Sequence, residues 1–363
     1  MAISPAHQRI SNKRYRRCGR SGLLCVSLFV FSGFVAAAEV KNIYEHEVDV
    51  ESQAIEFRAG AMRRTLAGVL VKVTGDSRVA SSPAVQGILN YAQQWAVQFG
   101  YRLREHETAP EGQMRFWARF NKQAVNTAIR DAGLPVWPPE RPLILVWMGI
   151  EDGGEQVMMA EDTIHPVRES LDEAAGIRGI PLGFPVLDLN ERSQIGFDDI
   201  ALARMEQLKG VSGRYGAQAL LVGYLTRRGA QDWWLRLVLD QQGVRQSWNV
   251  SGPSLDEVIK AGINRVADHL ARQYANFASL SGEQSLDVMV TGIMDLDGYA
   301  RTLKYLQSLS VVSGVQVIRV EPDRVLYRLS TPTNAAAFMQ LVSIGRVLES
   351  MGDVQELVFR LFP

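Results

Sequence analysis

The stretch Leu208–Leu225, LKGVSGRYGAQALLVGYL, sets Gly210, Gly213, Gly216 and Gly223 around a run of apolar residues. A phosphate-cradling loop needs a strand first, then glycines whose N–H groups and the next helix N-terminus face the anion. Here the order is reversed, because the helix-forming DIALARMEQLK (Asp199–Lys209) comes before the glycines and QALLVGYL (Gln218–Leu225) after them. Gly210 therefore reads as the residue past a helix C-terminus, where positive φ suits glycine. No Lys-Ser or Lys-Thr pair follows, so the stretch is a step from a helix into a buried strand and not a nucleotide site.

Working outward, LILVWMG (Leu143–Gly149) is continuously apolar, as a strand covered on both faces must be. A helix over Pro166–Ala175, a short strand PVLDL (Pro185–Leu189) and a helix capped by Asp198 lead to QALLVGYL. The expected middle domain, residues 143–280, thus has a parallel βαβαβ core. Antiparallel strands DWWLRLVLD (Asp232–Asp240) and RQSWNV (Arg245–Val250) and a long helix over Leu255–Phe277 complete it.

Before it, residues 39–134 read as an α+β domain. Alternation in YEHEVDVES (Tyr44–Ser52) predicts a strand with one acidic face. Helical spacing runs through Ala54, Phe57, Ala61, Leu66, Val69 and Val73, and a second apolar stripe over Val85–Phe99 predicts another helix. QMRFWARF (Gln113–Phe120) is a strand, and Asn121 caps a helix that stops at Gly133. Pro135, Pro138, Pro139 and Pro142 make residues 135–142 a stiff connection. Residues 285–363 follow the order βαββαβ of a ferredoxin-like domain, with Thr333 capping its second helix. The expected class is α/β and α+β in three small domains.

At 363 residues, with 47% hydrophobic and 21% charged residues, the chain has globular composition. Its first residues have a different order: basic RYRRCGRSG, apolar LLCVSLFVFSGFV (Leu23–Val35), then Ala36–Ala38. That is the layout of a secretory signal peptide over residues 1–38, cleaved after Ala38. The rival reading, a retained membrane anchor, needs roughly 20 apolar residues and the run is shorter; no other segment could cross, so no membrane insertion of the mature chain is expected. Cys18 and Cys25, the two cysteines, leave with the signal peptide, which excludes disulfides and thiolate chemistry. Six of the 39 Lys and Arg but none of the 39 Asp and Glu leave too. The resulting acidic excess argues against nucleic acid as a partner.

Hydrolase motifs such as Gly-x-Ser-x-Gly and His-Glu-x-x-His do not occur. Glu105–Glu107 (EHE) resembles a metal trio, but neighbouring side chains on a strand point apart. No cofactor and no metal are expected. An active site, if present, belongs at the carboxyl ends of the parallel strands, where Glu151, Asp152, Asp188 and Asn190 would gather around a cation in a metal-assisted hydrolase. The aromatic-basic pairs point elsewhere. Trp117 and Arg119 lie on the polar face of their strand, and Trp234 and Arg236 on the face opposite Trp233. Trp and Arg are favoured in binding surfaces, so these four are the expected contacts with a partner.

Two resemblances follow from these stretches. GRYGAQALLVGYL (Gly213–Leu225), with the strand and long helix after it, resembles small α/β domains of bacterial envelope accessory proteins. Among these are the TolB amino-terminal domain, curli secretion factors and lipoprotein activators of penicillin-binding proteins. Segments Ala54–Asp76, Arg115–Trp137, Arg141–Trp147 and Tyr215–Leu225 are together similar to an uncharacterised family of proteobacterial periplasmic proteins, a domain of unknown function numbered two thousand and sixty-six. That resemblance implies a Gram-negative periplasm, no established activity and no catalytic residue. The lipoprotein members' lipidated cysteine has no counterpart here. The function expected is a secreted, non-catalytic interaction or assembly module with an envelope protein or glycan as partner.

Overall fold

The computed structural model describes residues 42–103, 114–275, 284–345 and 347–362, all within one compact unit. The architecture is mixed α/β, with three separate sheets, each holding its own apolar core.

The first sheet opens with β1 (Glu45–Val50), followed by the long helix α1 (Ile55–Thr74) and its left-handed cap Gly75. Two single-turn helices, α2 (Pro83–Gln86) and α3 (Ala92–Trp95), lead into β2 (Ala96–Leu103). Then β3 (Met114–Phe120) takes the centre, in the order β1-β3-β2, and α4 (Lys122–Asp131) follows with Asn121 as N-cap. The inward row Phe116, Ala118 and Phe120 packs with Leu66, Val69 and Leu70 of α1.

The single helix expected over Val85–Phe99 is not formed. Gly87 interrupts it, and from Ala96 the chain is extended. Phe99 and Tyr101 recur at period two and meet Phe116, with ring centroids 5.8 and 5.3 Å away. Cross-strand aromatic packing thus overrides a stripe that fits helical spacing equally well.

The middle sheet is built on β4 (Ile144–Asp152). Next come β5 (Glu155–Met158), α5 (Pro166–Arg178), β6 (Leu182–Gly183), α6 (Leu189–Gln194), α7 (Phe197–Ala201) and α8 (Met205–Ser212). The chain then enters β7 (Ala219–Gly229), β8 (Asp232–Gln241), β9 (Val244–Gly252) and α9 (Leu255–Ala275). The strand order is β5-β4-β7-β8-β9, with β4 and β7 parallel over Ile144–Glu151 and Ala219–Thr226. Val146, Met148, Leu221, Leu235 and Leu237 face one core with α5 and α9. Leu145, Trp147, Leu220 and Val222 face the other, under α7 and α8. Coverage on both faces explains the uninterrupted apolar runs of β4 and β7.

Several local expectations change. The strand expected at Pro185–Leu189 is replaced by the two-residue β6, paired with the start of β4, and Leu189 already opens α6. GIEDGG is no strand-to-helix loop: Gly153 (φ 62) and Gly154 (φ 90) form a tight hairpin turn that pairs Asp152 with Glu155. The helix before β7 is two, broken at Ala203 (φ 50). Its first half is capped at Gly196, whose N–H donates to the Asp199 carboxylate at 2.8 Å, rather than by Asp198. Gly210 lies inside α8, and the left-handed position is Gly216 (φ 65). Gly223 lets Met148 pack close, because a Cβ there would sit 2.5 Å from Met148 Cε and the end of that side chain would have to shift.

The third sheet holds β10 (Gln284–Thr291), α10 (Leu296–Ser308), β11 (Gly314–Glu321), β12 (Arg324–Thr331), α11 (Ala335–Gly345), β13 (Leu348–Ser350) and β14 (Val358–Leu361). Its order is β11-β12-β10-β14-β13. The βαββαβ pattern is present with one strand added. β14 inserts beside β10 and runs parallel to it, while β13 pairs antiparallel on the outside. Asn334 and not Thr333 caps α11, accepting from Ala337 N at 2.9 Å.

Candidate functional site

The edge strand β1 borders a cleft of about 780 Å3 whose opposite wall is α5 and which Arg102 of β2 and Arg115 of β3 also line. Three layers of structure build it. The outer face of the first sheet carries Glu45, Glu47 and Asp49 of β1, aligned in register with Arg119, Trp117 and Arg115 of β3. This alternation is a lattice of ion pairs. Arg119 Nη2 lies 2.8 Å from Glu45 Oε2, and Arg115 reaches Glu47 at 2.7 Å, Asp49 at 3.1 Å and, on α5, Glu173 at 2.5 Å. Burial opposes the charge of Arg115, but Glu47 and Glu173 outweigh it and raise its proton affinity. Arg115 thereby ties β1 to α5 across the cleft.

The second layer comes from α1. Gly68 lets the His46 ring lie on the helix, since a Cβ at Gly68 would fall 1.9 Å from His46 Cδ2. One turn on, Lys72 Nζ donates to the Glu45 carbonyl at 2.9 Å. Burial, then the nearby Lys72 and Arg115 charges, push His46 down to about 3, so it is neutral. Burial, then Arg141, bring Lys72 down to about 8.

The third layer closes the inner end, where the C-termini of α1 and α5 meet around Arg141. This fully buried guanidinium donates to carbonyl oxygens of Lys72 (2.5 Å), Arg178 (2.7 Å), Gly179 (2.8 Å) and Pro138 (3.3 Å), and stacks on Trp137 at 3.8 Å. Helix C-terminal carbonyls lack intrahelical partners and carry partial negative charge, which is what a cation with no carboxylate requires. Burial pushes Arg141 down to about 9, leaving it charged at neutral pH. Arg178 adds a second tie, to Gly75 O and Asp268 Oδ1, each at 2.6 Å.

The expected binding residues sit in two places. Arg119 is exposed but held by Glu45, and Trp117 is half-buried beneath Arg102, whose guanidinium carbon is 4.5 Å from the ring centroid. Both flank the cleft through Glu45 and Arg102, which line it. Trp234 and Arg236 lie on the middle sheet, on the α7 side. Trp234 meets Tyr224 edge-on at 6.0 Å and Arg228 at 4.3 Å, while Arg236 donates to the carbonyl of Ala201 at the end of α7.

The four expected cation-site residues do not gather. Glu151 and Asp152 are at the carboxyl end of β4, where Glu151 accepts from the Tyr224 hydroxyl and Asp152 lies 3.8 Å from Arg227. Asp188 caps α6 and holds Arg214 at 2.6 Å, just before β7 begins. The Glu191 N–H and then Arg214 hold the Asp188 carboxyl below its usual range. Asn190 bonds Gln194 within its own helix. Among the described residues no cluster of three or more His, Cys, Asp or Glu side chains is placed to hold a metal. Residues 104–113, with the EHE trio, lie outside the described residues, as do residues 1–41.

Sequence reasoning missed His46, Lys72, Arg115, Arg141 and Glu173. The alternation of acidic residues in β1 was a signal for Arg115, whose place opposite it follows from strand pairing. Nothing local marked Arg141, which falls in the proline-rich stretch.

No helix among the described residues is long and apolar enough to cross a membrane. No curated protein matches the chain. A family model does match residues 37–138, the segment that supplies β1, α1 and β3. That part of the chain is similar to a family described as a domain of unknown function, DUF8605, numbered differently from the family expected from the sequence.

Proposed function

We propose that the protein is exported to the periplasm of a Gram-negative cell, cleaved after Ala38, and acts there as a non-catalytic module that docks an envelope macromolecule in the cleft beside β1. The observation that carries this is the cleft itself, which has an open strand edge for one wall and helix α5 for the other. Its carboxylates Glu45, Glu47, Asp49 and Glu173 are spread along the walls in ion pairs instead of converging on a reacting atom. Concave, preformed surfaces lined by a few oriented polar groups are the usual binding places on proteins. The order of charge, apolar core and small residues over 1–38 supports export. The likeness of the middle domain to TolB-type and curli secretion domains supports an envelope role.

Osmotic shock of cells making the full chain, with N-terminal sequencing, tests the export step. Release with Glu39 as first residue is expected, and retention with residue 1 intact overturns it. Crosslinking the envelope tests docking. A discrete adduct that is lost in Glu173→Lys, with folding verified by circular dichroism, is expected, and an adduct indifferent to that change overturns docking in the cleft.

A further inference from the structure

The backbone of β1 narrows what the cleft takes, given the docking reading above. Phe120 N donates to Tyr44 O at 2.9 Å, so residues in phase with Tyr44 turn their backbone toward β3. At period two, Glu45, Glu47 and Asp49 turn theirs outward, toward the free edge, where Glu45 N already donates to Asn42 O at 2.9 Å. Two side chains of α1 agree with this phase: Lys72 Nζ donates to Glu45 O at 2.9 Å and Arg64 Nη2 to Asp49 O at 3.2 Å. Such caps keep an exposed edge from pairing at random. The Arg64 bond to Asp49 O is exposed and is the one an incoming N–H can readily replace, whereas the Lys72 bond to Glu45 O is part-buried.

The side chains then dictate chemistry on each face of an added strand. On the outer face its neighbours are Glu45, Glu47 and Asp49, and α5 brings Glu169, Asp172 and Glu173 to the same cleft. On the other face they are Val48 and neutral His46, with Ile177, Ile180 and Pro181 across the gap. Six carboxylates line the cleft with Lys72, Arg102, Arg115 and Lys260, and Arg119 and Arg168 pair with Glu45 and Asp172 from its margins, so a basic side chain of the added strand would share carboxylates that already hold arginines. Opposite charges across strands stabilise and like charges repel. A second copy of β1 would set carboxylates against carboxylates, so self-pairing is disfavoured.

The geometry points to an extended polypeptide that alternates basic and apolar residues and adds to β1 as a strand, basic side chains toward Glu45, Glu47 and Asp49 and apolar ones toward Val48 and Ile177. Because β1 spans Glu45–Val50, about six residues of partner suffice. Main-chain hydrogen bonds supply affinity in this mode and alternate side chains supply choice.

Titration of the full mature chain with a synthetic peptide of about seven residues alternating Lys and Val tests this. It should bind, protect the Glu47 and Asp49 amides from hydrogen exchange, and lose binding when alternate peptide nitrogens facing β1 are methylated. A Glu/Val peptide should not bind. Asp172→Lys, an exposed change on α5 that leaves β1 intact, should weaken the Lys/Val peptide by about fivefold. Equal binding of methylated and unmethylated peptides overturns strand addition, and equal binding of the Glu/Val peptide overturns the basic preference. Failure of every peptide while the cleft still yields its cellular adduct overturns this partner class and leaves the docking reading standing. Failure of both overturns both.

Discussion

Arg141 joins the ends of α1 and α5 behind the cleft through its hydrogen bonds. Replacing it with Met keeps much of the apolar stem but strands the carbonyls of Lys72, Arg178 and Gly179 without donors. Leaving buried polar groups unsatisfied, together with losing a buried charge from its partners, costs about 3 kcal/mol. Arg141→Met should lower unfolding free energy by about that amount in urea titrations. His46 makes a second prediction. Its folded pKa of about 3 lies below the ordinary 6.5, so between those values the unfolded chain binds the extra proton. Stability is therefore fully present above pH 6.5 and falls as pH drops toward 3, at up to about 1.4 kcal/mol per pH unit. His46→Gln should flatten that part of the profile. Lys72 has the same sign only between pH 8 and 10.5, so the two separate. Asn121 was legible as a cap because the signal is local. Arg141 was not, since its partners come from helix ends far along the chain.

Among elements, helices α5 and α9 each contain a glycine that looks alike in sequence and differs in packing. At Gly176 a Cβ meets nothing within 4 Å, whereas at Gly262 it would lie 2.8 Å from Leu235 Cδ2 and 2.9 Å from Leu237 Cδ1. Alanine gains about 1 kcal/mol of helix propensity at either place. Overpacking costs about 1–3 kcal/mol and exceeds that gain only at Gly262. Thermal unfolding should show Gly176→Ala stabilised and Gly262→Ala destabilised. The same distinction explains what the sequence could disclose about elements. Runs such as β4 and β7, covered on both faces, were readable as strands. The segment Val85–Phe99 was not, because its spacing suits two periods and the choice rests on Phe116, which is distant in sequence. ELVFRLF (Glu356–Phe362) was readable as a last strand and forms β14, but its insertion beside β10 with the short β13 outside it was hidden, because pairing order is a property of the whole sheet.

For the whole molecule, side chains tie the three sheets' units together. Asp268 of α9 accepts from Ser77 N at 3.1 Å and Oγ at 2.9 Å, and Glu140 accepts from Ser310 N at 2.9 Å and Oγ at 2.6 Å. The cleft lies between β1 and α5, which are more than a hundred residues apart, and for that reason no local motif announced it. Trp117 and Arg119, expected as partner contacts, stand beside it through Arg102 and Glu45, while Asp152 and Asp188 were assigned to one place that the fold divides. The central claim is that the cleft between β1 and α5 holds a partner. A photo-crosslinking residue at position 172, on the cleft wall, compared in living cells with one at position 328, on the exposed face of the third sheet, tests it most directly. The account predicts one discrete adduct from position 172 and none from 328. Identical adducts from both positions, or none from 172, would contradict it.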